Sequence, residues 1–271
     1  MAGWVCHIVA FEGRASFPLW ARAGQPTAPR RRRNAQGQIL LERGICSYSQ
    51  VLNFWYDAVR EAIQNAGAIA WDQIPQTGEN PPTEHARLGE PSDRPVVYWY
   101  YYAQNHWRQA LRDIRHIISS FRTSAKEVSP RGSGDFDRMR LVLFGFSNGG
   151  DAVYQTAKAL EREGIRVDLA ITVDPVRKPL RGMGFMGFQR PENVARWINY
   201  YQRFDRRTLA GILPIVGRHV DGADENNQMR PEDFPEPKTR PKAHLWIPSL
   251  EVVRRRITDE LTALLSQPMV G

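Results

Sequence analysis

Residues 139–176 read MRLVLFGFSNGGDAVYQTAKALEREGIRVDLAITVDPV and hold the pattern that decides the fold. Met139–Phe146 is a compact apolar run, which is typical of a buried strand. From Asn148 to about Arg162, apolar residues recur at helical spacing, and a glycine follows where a helix would end. Val167–Val173 is nearly continuously apolar, which indicates a strand buried on both faces of a parallel sheet. The segment therefore predicts a strand–helix–strand unit, the building block of α/β folds.

The same alternation of strand and helix patterns extends over the rest of the chain. Further strands are predicted at Trp4–Phe11 and Val96–Tyr102, further helices at about 49–66, 104–121 and 249–265, and a further apolar run lies at Leu209–Val216. Residues 194–203 could form a strand or a helix, and their Tyr, Trp and Ile content favours a strand. Polar, proline-rich stretches are predicted to be insertion loops at about 12–46, 72–95, 177–192 and 217–242. We therefore expect one α/β domain over residues 1–271, with a mostly parallel sheet flanked by helices on both faces.

Composition limits the classes of protein to which the chain can belong. With 271 residues, 42% of them hydrophobic, it is long enough to bury one sizeable core. It has no run of about 18 apolar residues that would predict a transmembrane helix. Its apolar start lacks the basic region and cleavage site of a signal peptide, so we expect a cytoplasmic protein by default, with delivery as a secreted effector left open. Two cysteines, Cys6 and Cys46, are too few for a disulfide framework and are expected to be reduced thiols.

The chain is basic, with 37 Lys and Arg residues against 29 Asp and Glu and a formal net charge of +8. This balance favours contact with anionic surfaces such as lipid headgroups or nucleic acid. The densest basic run, Arg30-Arg31-Arg32-Arg33, lies in a stretch rich in proline, glycine and alanine. We expect it to be either a solvated loop or a loop that contacts phosphate or a membrane surface.

The turn after the first strand of the opening segment carries the pattern Gly145-Phe146-Ser147-Asn148-Gly149. G-x-S-x-G between a strand and a helix is typical of a nucleophile elbow, in which a strained turn projects the serine hydroxyl above the sheet. The glycines leave room for that turn, and the helix N-terminus brings N–H groups near the serine. We predict Ser147 as a nucleophile and the backbone N–H of Asn148 as an oxyanion donor. The alternative is a serine that only caps a surface helix.

A serine nucleophile needs a base and an orienting acid, which in folds of this type follow in the order serine, acid, histidine. Two histidines follow Ser147 in the chain. His244 stands shortly before the last predicted helix, where a loop over the sheet would carry a base. His219 lies in a polar stretch after an apolar run. We predict His244 as the base and keep His219 as the alternative.

The predicted acid is Asp174, which ends an apolar strand in the sequence Ile-Thr-Val-Asp-Pro-Val. A carboxylate at the carboxyl end of a parallel strand points toward the crevice where ligands bind. An aspartate that only caps or turns the chain before a loop is the alternative interpretation. Asp221 and Asp224 are the competing candidates for the acid.

The strand–Gly-Phe-Ser-Asn-Gly–helix unit, followed by Ile-Thr-Val-Asp-Pro-Val and a late histidine, resembles the lipase and esterase branch of the α/β-hydrolases. Pancreatic-type lipases similarly carry their acid in a Leu-Asp-Pro strand end shortly after the serine. The resemblance implies that Ser147, Asp174 and His244 form a catalytic triad. It also implies a second oxyanion N–H from the loop after the first strand, at Phe11 and Glu12, although the His-Gly form common in the family is absent there.

A glycine-rich stretch, GMGFMGF at residues 182–188, does not follow a strand in the way that a dinucleotide site requires. We interpret it as an apolar lid or rim in which Met183, Phe185 and Phe188 contact the substrate. The histidines are scattered and there is no closely spaced cysteine pair, so the sequence predicts neither a metal site nor a cofactor.

The first functional hypothesis is a serine hydrolase that cleaves carboxylic esters through an acyl-enzyme intermediate. The aromatic and methionine-rich surroundings favour a lipase-, phospholipase- or esterase-like substrate, and thioesters and amides stay open because the same residues would serve. The alternative from another class is a catalytically inactive hydrolase fold that binds anionic lipid or nucleic acid through Arg30–Arg33. The presence of all three triad residue types in the expected order favours the enzyme.

Overall fold

A computed structural model describes residues 4–11, 30–33, 39–42, 49–70, 95–102, 106–128, 139–177, 187–204, 217–234 and 243–267. Several positions named in the sequence analysis lie outside these residues: Glu12, Cys46, Met183, Phe185 and the apolar run Leu209–Val216. Most of the predicted loops 12–46 and 72–95 also lie outside them.

The described residues form eleven strands and five α-helices. The strands are β1 (Val5–Phe11), β2 (Arg30–Arg33), β3 (Ile39–Glu42), β4 (Ile69–Ala70), β5 (Val96–Tyr102), β6 (Met139–Phe146), β7 (Leu169–Val173), β8 (Phe188–Gln189), β9 (Trp197–Gln202), β10 (Val220–Asp221) and β11 (Glu225–Met229). The helices are α1 (Ser49–Asn65), α2 (Trp107–Val128), α3 (Asn148–Glu161), α4 (Ala243–Trp246) and α5 (Glu251–Ser266). In this part of the chain, no helix combines the length and the apolar character needed to cross a membrane.

Seven strands form one sheet in the order β11-β9-β7-β6-β1-β5-β4, and each pairing in it is parallel. Parallel neighbours need crossover connections, which α1, α2 and α3 provide between successive strands. The open question at residues 194–203 is resolved in favour of a strand, β9. The predicted fold class, α/β with a parallel sheet flanked by helices, is confirmed.

The helices cover the two faces of the sheet in pairs. α1 and α5 pack against each other on one face, and α2 and α3 pack on the other. Alternate residues of β1 enter the two cores: Cys6, Ile8 and Ala10 on the α1/α5 side, and Val5, Val9 and Phe11 on the α2/α3 side. This alternation explains why the central strands are apolar at nearly every position. Cys6 is a buried free thiol within the first of these cores.

Three of the stretches predicted to be loops contain strands. β2 and β3 pair as an antiparallel hairpin, so the expectation that Arg30–Arg33 is a loop is wrong. β8 and β10 form a small parallel pair, and β11 is an edge strand of the main sheet. β11 was not predicted from the sequence because its residues, ENNQM, are polar. An edge strand can be polar because it need not be apolar on both faces.

The connection order reverses at β1, which positions the site. The chain leaves β1 for β4 and β5 on one side of it and then returns to β6 on the other side. Ligands of open parallel sheets bind outside the carboxyl ends of the strands at such a switch point. β6 ends at Phe146, so the next residue, Ser147, stands at this crevice.

Candidate active site

Ser147 lies in a strained turn between β6 and α3. Its φ of 56° and ψ of −126° fall in a region that residues with a side chain rarely adopt. The neighbouring strand holds the turn, because the Ser147 N–H donates to the carbonyl of Val173 at 3.0 Å. A Cβ on Gly145 would overlap the first turn of α3, and a Cβ on Gly150 would overlap Pro175. Gly145 of the motif and Gly150 just after it are therefore required by the close packing of the turn.

Asp174 is held in a second strained turn, at the end of β7, with a φ of 44°. Its N–H donates to the carbonyl of Tyr200 at 2.6 Å, and its Oδ1 accepts the N–H of Gln202 at 3.0 Å. Both partners belong to β9, so the carboxylate takes the place of a backbone carbonyl in the ladder between the two strands. The side chain is fully buried, and one of its oxygens is fixed by the sheet itself.

His244 comes from the short helix α4 and completes the site. Its Nδ1 lies 2.6 Å from Oδ2 of Asp174, and its Nε2 lies 2.9 Å from Oγ of Ser147. The imidazole is buried and stacks on the ring of Phe146, with 4.9 Å between the ring centroids and 26° between the planes. The structure thus brings the three predicted residues into one hydrogen-bonded row, with a ring that packing holds in place.

These contacts suit an arrangement of protons that permits proton transfer from the serine. In the tautomer that carries its proton on Nδ1, His244 donates that N–H to the carboxylate of Asp174, which leaves a lone pair on Nε2 to accept the hydroxyl proton of Ser147. Such a row can move the serine proton to Nε2 while the carboxylate stabilises the imidazolium that forms. Burial strengthens both interactions, because little water screens them.

The segment of residues 217–220 meets the carboxylate at Oδ1, the oxygen that His244 does not contact. The N–H of Arg218 donates to the carbonyl of Pro175 at 3.0 Å, which ties the segment to the end of β7. Gly217 lies so close to Asp174 that a Cβ there would overlap Oδ1. The sequence did not predict that Gly217 and Gln202 contact Asp174. Gln202 acts through its backbone, and a glycine in a polar stretch carries no signal of a carboxylate neighbour.

The competing acid and base candidates have other partners. His219 lies with its Nε2 3.4 Å from Oδ1 of Asp221, and Asp221 is largely exposed. Asp224 forms an ion pair of 2.8 Å with Arg190. Within the described residues, none of these three candidates is hydrogen-bonded to Ser147 or to His244.

The predicted oxyanion donors are described only in part. Asn148 is the first residue of α3, so its N–H is among the N-terminal groups that lack an intrahelical acceptor, next to Ser147. Phe11 ends β1 beside β6, and its side chain is fully buried in the core. Only the backbone of Phe11 could therefore face a ligand, and Glu12 lies outside the described residues.

Phe188 does not occupy the predicted rim. It belongs to β8, is 1% exposed and packs edge-on against Tyr154 of α3, with 5.7 Å between the ring centroids. Arg177 covers the same tyrosine ring at 4.7 Å and lies 3.4 Å from Asp151. The side chain of Phe188 is therefore part of the core, which corrects the expectation that it contacts substrate.

Two arginines lie next in sequence to the residues that contact Asp174. Arg203 follows Gln202, and Arg218 follows Gly217, so each comes directly after a residue that contacts Asp174. Burial lowers the pKa of the Arg218 guanidinium, and the charge of Arg203 lowers it further.

Comparison with known proteins does not identify a class for this protein, so the fold and the site are the evidence for it. No family model matches the chain, and no curated protein matches it either. Among the described residues, no group of three or more His, Cys, Asp or Glu side chains is arranged to hold a metal ion. The molecule is an α/β protein with a serine, a histidine and a buried carboxylate in hydrogen-bond contact at the switch point of its sheet.

Proposed function

We propose that the protein is a serine hydrolase of the α/β-hydrolase kind that cleaves carboxylic esters through an acyl-enzyme intermediate. The observation that carries the proposal is the row Asp174–His244–Ser147, with contacts of 2.6 Å and 2.9 Å. A serine that only caps a helix needs neither a strained backbone nor a buried histidine–carboxylate pair behind it. Here Ser147 makes no side-chain capping hydrogen bond to α3.

In the acylation half-reaction, Oγ of Ser147 attacks the carbonyl carbon of the ester while its proton passes to Nε2 of His244. The carbonyl oxygen becomes an oxyanion, which the N–H of Asn148 stabilises. The tetrahedral intermediate collapses, the bond to the leaving alcohol breaks, and the Nε2 proton passes to that alcohol. The acyl group remains on Ser147, and Asp174 balances the charge of the imidazolium throughout.

In the deacylation half-reaction, His244 takes a proton from a water molecule that attacks the acyl carbon. The second tetrahedral intermediate expels Oγ of Ser147, which regains its proton from Nε2. The products are a carboxylic acid and the free enzyme. The same three residues therefore act twice in one turnover, which is why the loss of any one of them abolishes most of the catalysis.

The substrate proposed is an apolar acyl ester, of the lipase, phospholipase or esterase type. Thioesters and amides would enter the same mechanism with a different leaving group, so they belong in the same assay.

The experiment compares the wild-type protein with Ser147→Ala on a panel of nitrophenyl esters of short and long acyl chains, a phospholipid, a thioester and an anilide. We expect hydrolysis of at least one ester and a loss of about 10⁴-fold or more in kcat for Ser147→Ala. Equal hydrolysis by both proteins would refute the proposal.

The alternative, a catalytically inactive fold that binds anionic lipid or nucleic acid through Arg30–Arg33, predicts a different result. The protein would then hydrolyse none of the panel. It would bind anionic vesicles or nucleic acid with an affinity that falls steeply as salt is added.

A further inference from the structure

A row of three polar side chains crosses the sheet behind the acid. Thr172 on β7, Asn199 on β9 and Asn226 on β11 are direct neighbours in the register of the three strands. Thr172 and Asn199 are fully buried. Polar groups in such positions cost free energy unless each is hydrogen-bonded, so the partners of this row indicate why it is there.

The members of the row are joined by hydrogen bonds. Trp197 donates its Nε1–H to Oγ1 of Thr172 at 3.0 Å, and the Thr172 hydroxyl donates to Oδ1 of Asn199 at 2.8 Å. Asn199 then donates from Nδ2 to Oδ1 of Asn226 at 2.9 Å. Each hydrogen bond orients the group that follows it, so the row fixes the orientation of the Asn199 and Asn226 amides.

The row ends on the backbone of residues 217–220. Nδ2 of Asn199 also donates to the carbonyl of Arg218 at 2.9 Å. Asn226 binds Val220 twice, accepting its N–H on Oδ1 at 3.1 Å and donating Nδ2 to its carbonyl at 2.8 Å. Three backbone groups of the segment are therefore held by two amide side chains.

The same segment meets the acid at its other end. Gly217 packs against the Asp174 carboxylate, and Arg218 is tied to Pro175 at the end of β7. The hydrogen bonds from the two asparagines fix the backbone of residues 218 and 220 relative to the sheet. Gly217 comes just before this fixed part of the segment, which keeps it in contact with Oδ1. Apolar side chains in the row would fill the same space but could not bind these carbonyls.

We propose that Asn199 and Asn226 are positioning residues for the acid. They hold residues 217–220 against Asp174, so that Oδ2 keeps its 2.6 Å contact with Nδ1 of His244. The inference rests on the proposed function, because it gives the row a part in the same reaction. It also predicts that the hydrogen bond between Asp174 and His244 depends on the row, and this bond can be measured without any substrate.

The test uses Asn226→Ala, because Asn226 is only partly buried and its loss leaves the core intact, with Asn227→Ala as the matched control on the same strand. We expect kcat of Asn226→Ala to fall about 10- to 100-fold with KM unchanged, since a displaced catalytic group costs rate more than binding. The far-downfield proton resonance of His244 Nδ1–H should shift or broaden in Asn226→Ala and stay as in the wild type in Asn227→Ala.

A second pair of variants serves if Asn226→Ala does not fold. Thr172→Val removes the hydroxyl that orients Asn199 and keeps the shape, while Thr172→Ser restores the hydroxyl. The expected result is a lowered kcat and a perturbed His244 resonance in Thr172→Val, with both recovered in Thr172→Ser. An unchanged kcat and an unchanged resonance in the folded variants would overturn the inference.

The two proposals fail in different ways. If the wild-type protein hydrolyses no ester and Ser147 reacts with no acylating probe, the proposed function is wrong. The His244 resonance of Asn226→Ala and Asn227→Ala then decides the positioning role by itself. If the wild type is active and the variants of the row behave like it in rate and resonance, only the positioning role is wrong.

Discussion

Gln202 donates its backbone N–H to Oδ1 of Asp174 at 3.0 Å, so the strand beside the acid holds one of its two oxygens. The other oxygen, Oδ2, is thereby left for Nδ1 of His244. The bond from Gln202 is a backbone bond and is independent of its side chain. The acid is therefore oriented by the sheet, and changes at Asp174 itself should have the clearest effect.

Asp174→Asn should lower kcat by about 10⁴-fold with little change in KM. The amide oxygen can still accept the Gln202 N–H, which turns Nδ2 toward His244 and reverses the direction of that hydrogen bond. The imidazole then carries its proton on Nε2 and cannot accept the serine proton. Steady-state kinetics on the best ester would measure this, with the exposed Asp221→Asn as the control. A variant with near-wild-type kcat would show that Asp174 is not the acid.

Gly217→Ala should abolish most of the activity, because its Cβ would overlap Oδ1 of Asp174. Gly164→Ala is the matched control. Gly164 has a φ of +66°, so alanine is strained there, yet nothing lies within 4 Å of its added Cβ. We expect the control to lose about 1 kcal/mol of stability and to keep its kcat. Kinetics and thermal unfolding of both variants separate the two effects, and an active Gly217→Ala would contradict the contact.

The pH dependence of stability should report on His7. This residue is buried in β1, stacks on Tyr98 at 5.2 Å, and burial lowers its pKa to about 3. The unfolded chain takes up the proton below about pH 6.5 and the folded chain does not. Stability is therefore complete above that pH and is lost as the pH falls toward about 3, by up to about 1.4 kcal/mol per pH unit.

His7→Phe keeps an aromatic ring in the stack and removes the titration. The free energy of unfolding in urea should fall more steeply with pH for the wild type than for His7→Phe between about pH 7 and about pH 5. Packing differences that do not depend on pH cancel in this comparison. Parallel curves for the two proteins would show that His7 does not contribute.

Arg140 should matter for stability and not for catalysis. It lies at the amino end of β6, donates to the carbonyl of Leu264 and, at 3.1 Å, to that of Gln267, and covers the ring of Trp4 at 4.6 Å. Arg140→Met leaves the carbonyls at the end of α5 without these donors, so we expect a loss of about 2–3 kcal/mol in denaturant unfolding.

The exposed Arg166→Met is the control for Arg140→Met. Its ion pair with Asp168 is on the surface and should contribute less than about 1 kcal/mol. Both variants should retain the wild-type kcat, because neither arginine contacts the site. Equal losses of stability in the two variants would contradict the role given to Arg140.

The central strands and the turn at Ser147 could be predicted from the sequence because their signals are local. A strand covered on both faces is apolar at nearly every position, as Val167–Val173 is, and the glycines around Ser147 mark a tight turn. The strand β11 could not be predicted in this way. Its polar residues, including Asn226, satisfy a hydrogen-bond row that exists only once three strands are aligned.

The surroundings of the acid depend on contacts between distant parts of the chain. Gln202 and Gly217 reach Asp174 only because β9 pairs with β7 and residues 217–220 return over its end. Local patterns also left two histidines as possible bases. The packing of α4 decides which one stands beside Ser147, since it places His244 on the ring of Phe146.

The measurement that tests the account most directly is labelling with a fluorophosphonate, followed by mass spectrometry of the intact protein and its peptides. We predict one phosphonyl adduct per chain, on Ser147, formed quickly in the wild type and greatly slowed in His244→Ala, since Nε2 of His244 is the proposed acceptor of the serine proton. An unlabelled protein, or an adduct on another residue that persists in Ser147→Ala, would contradict the assignment of Ser147 as the nucleophile.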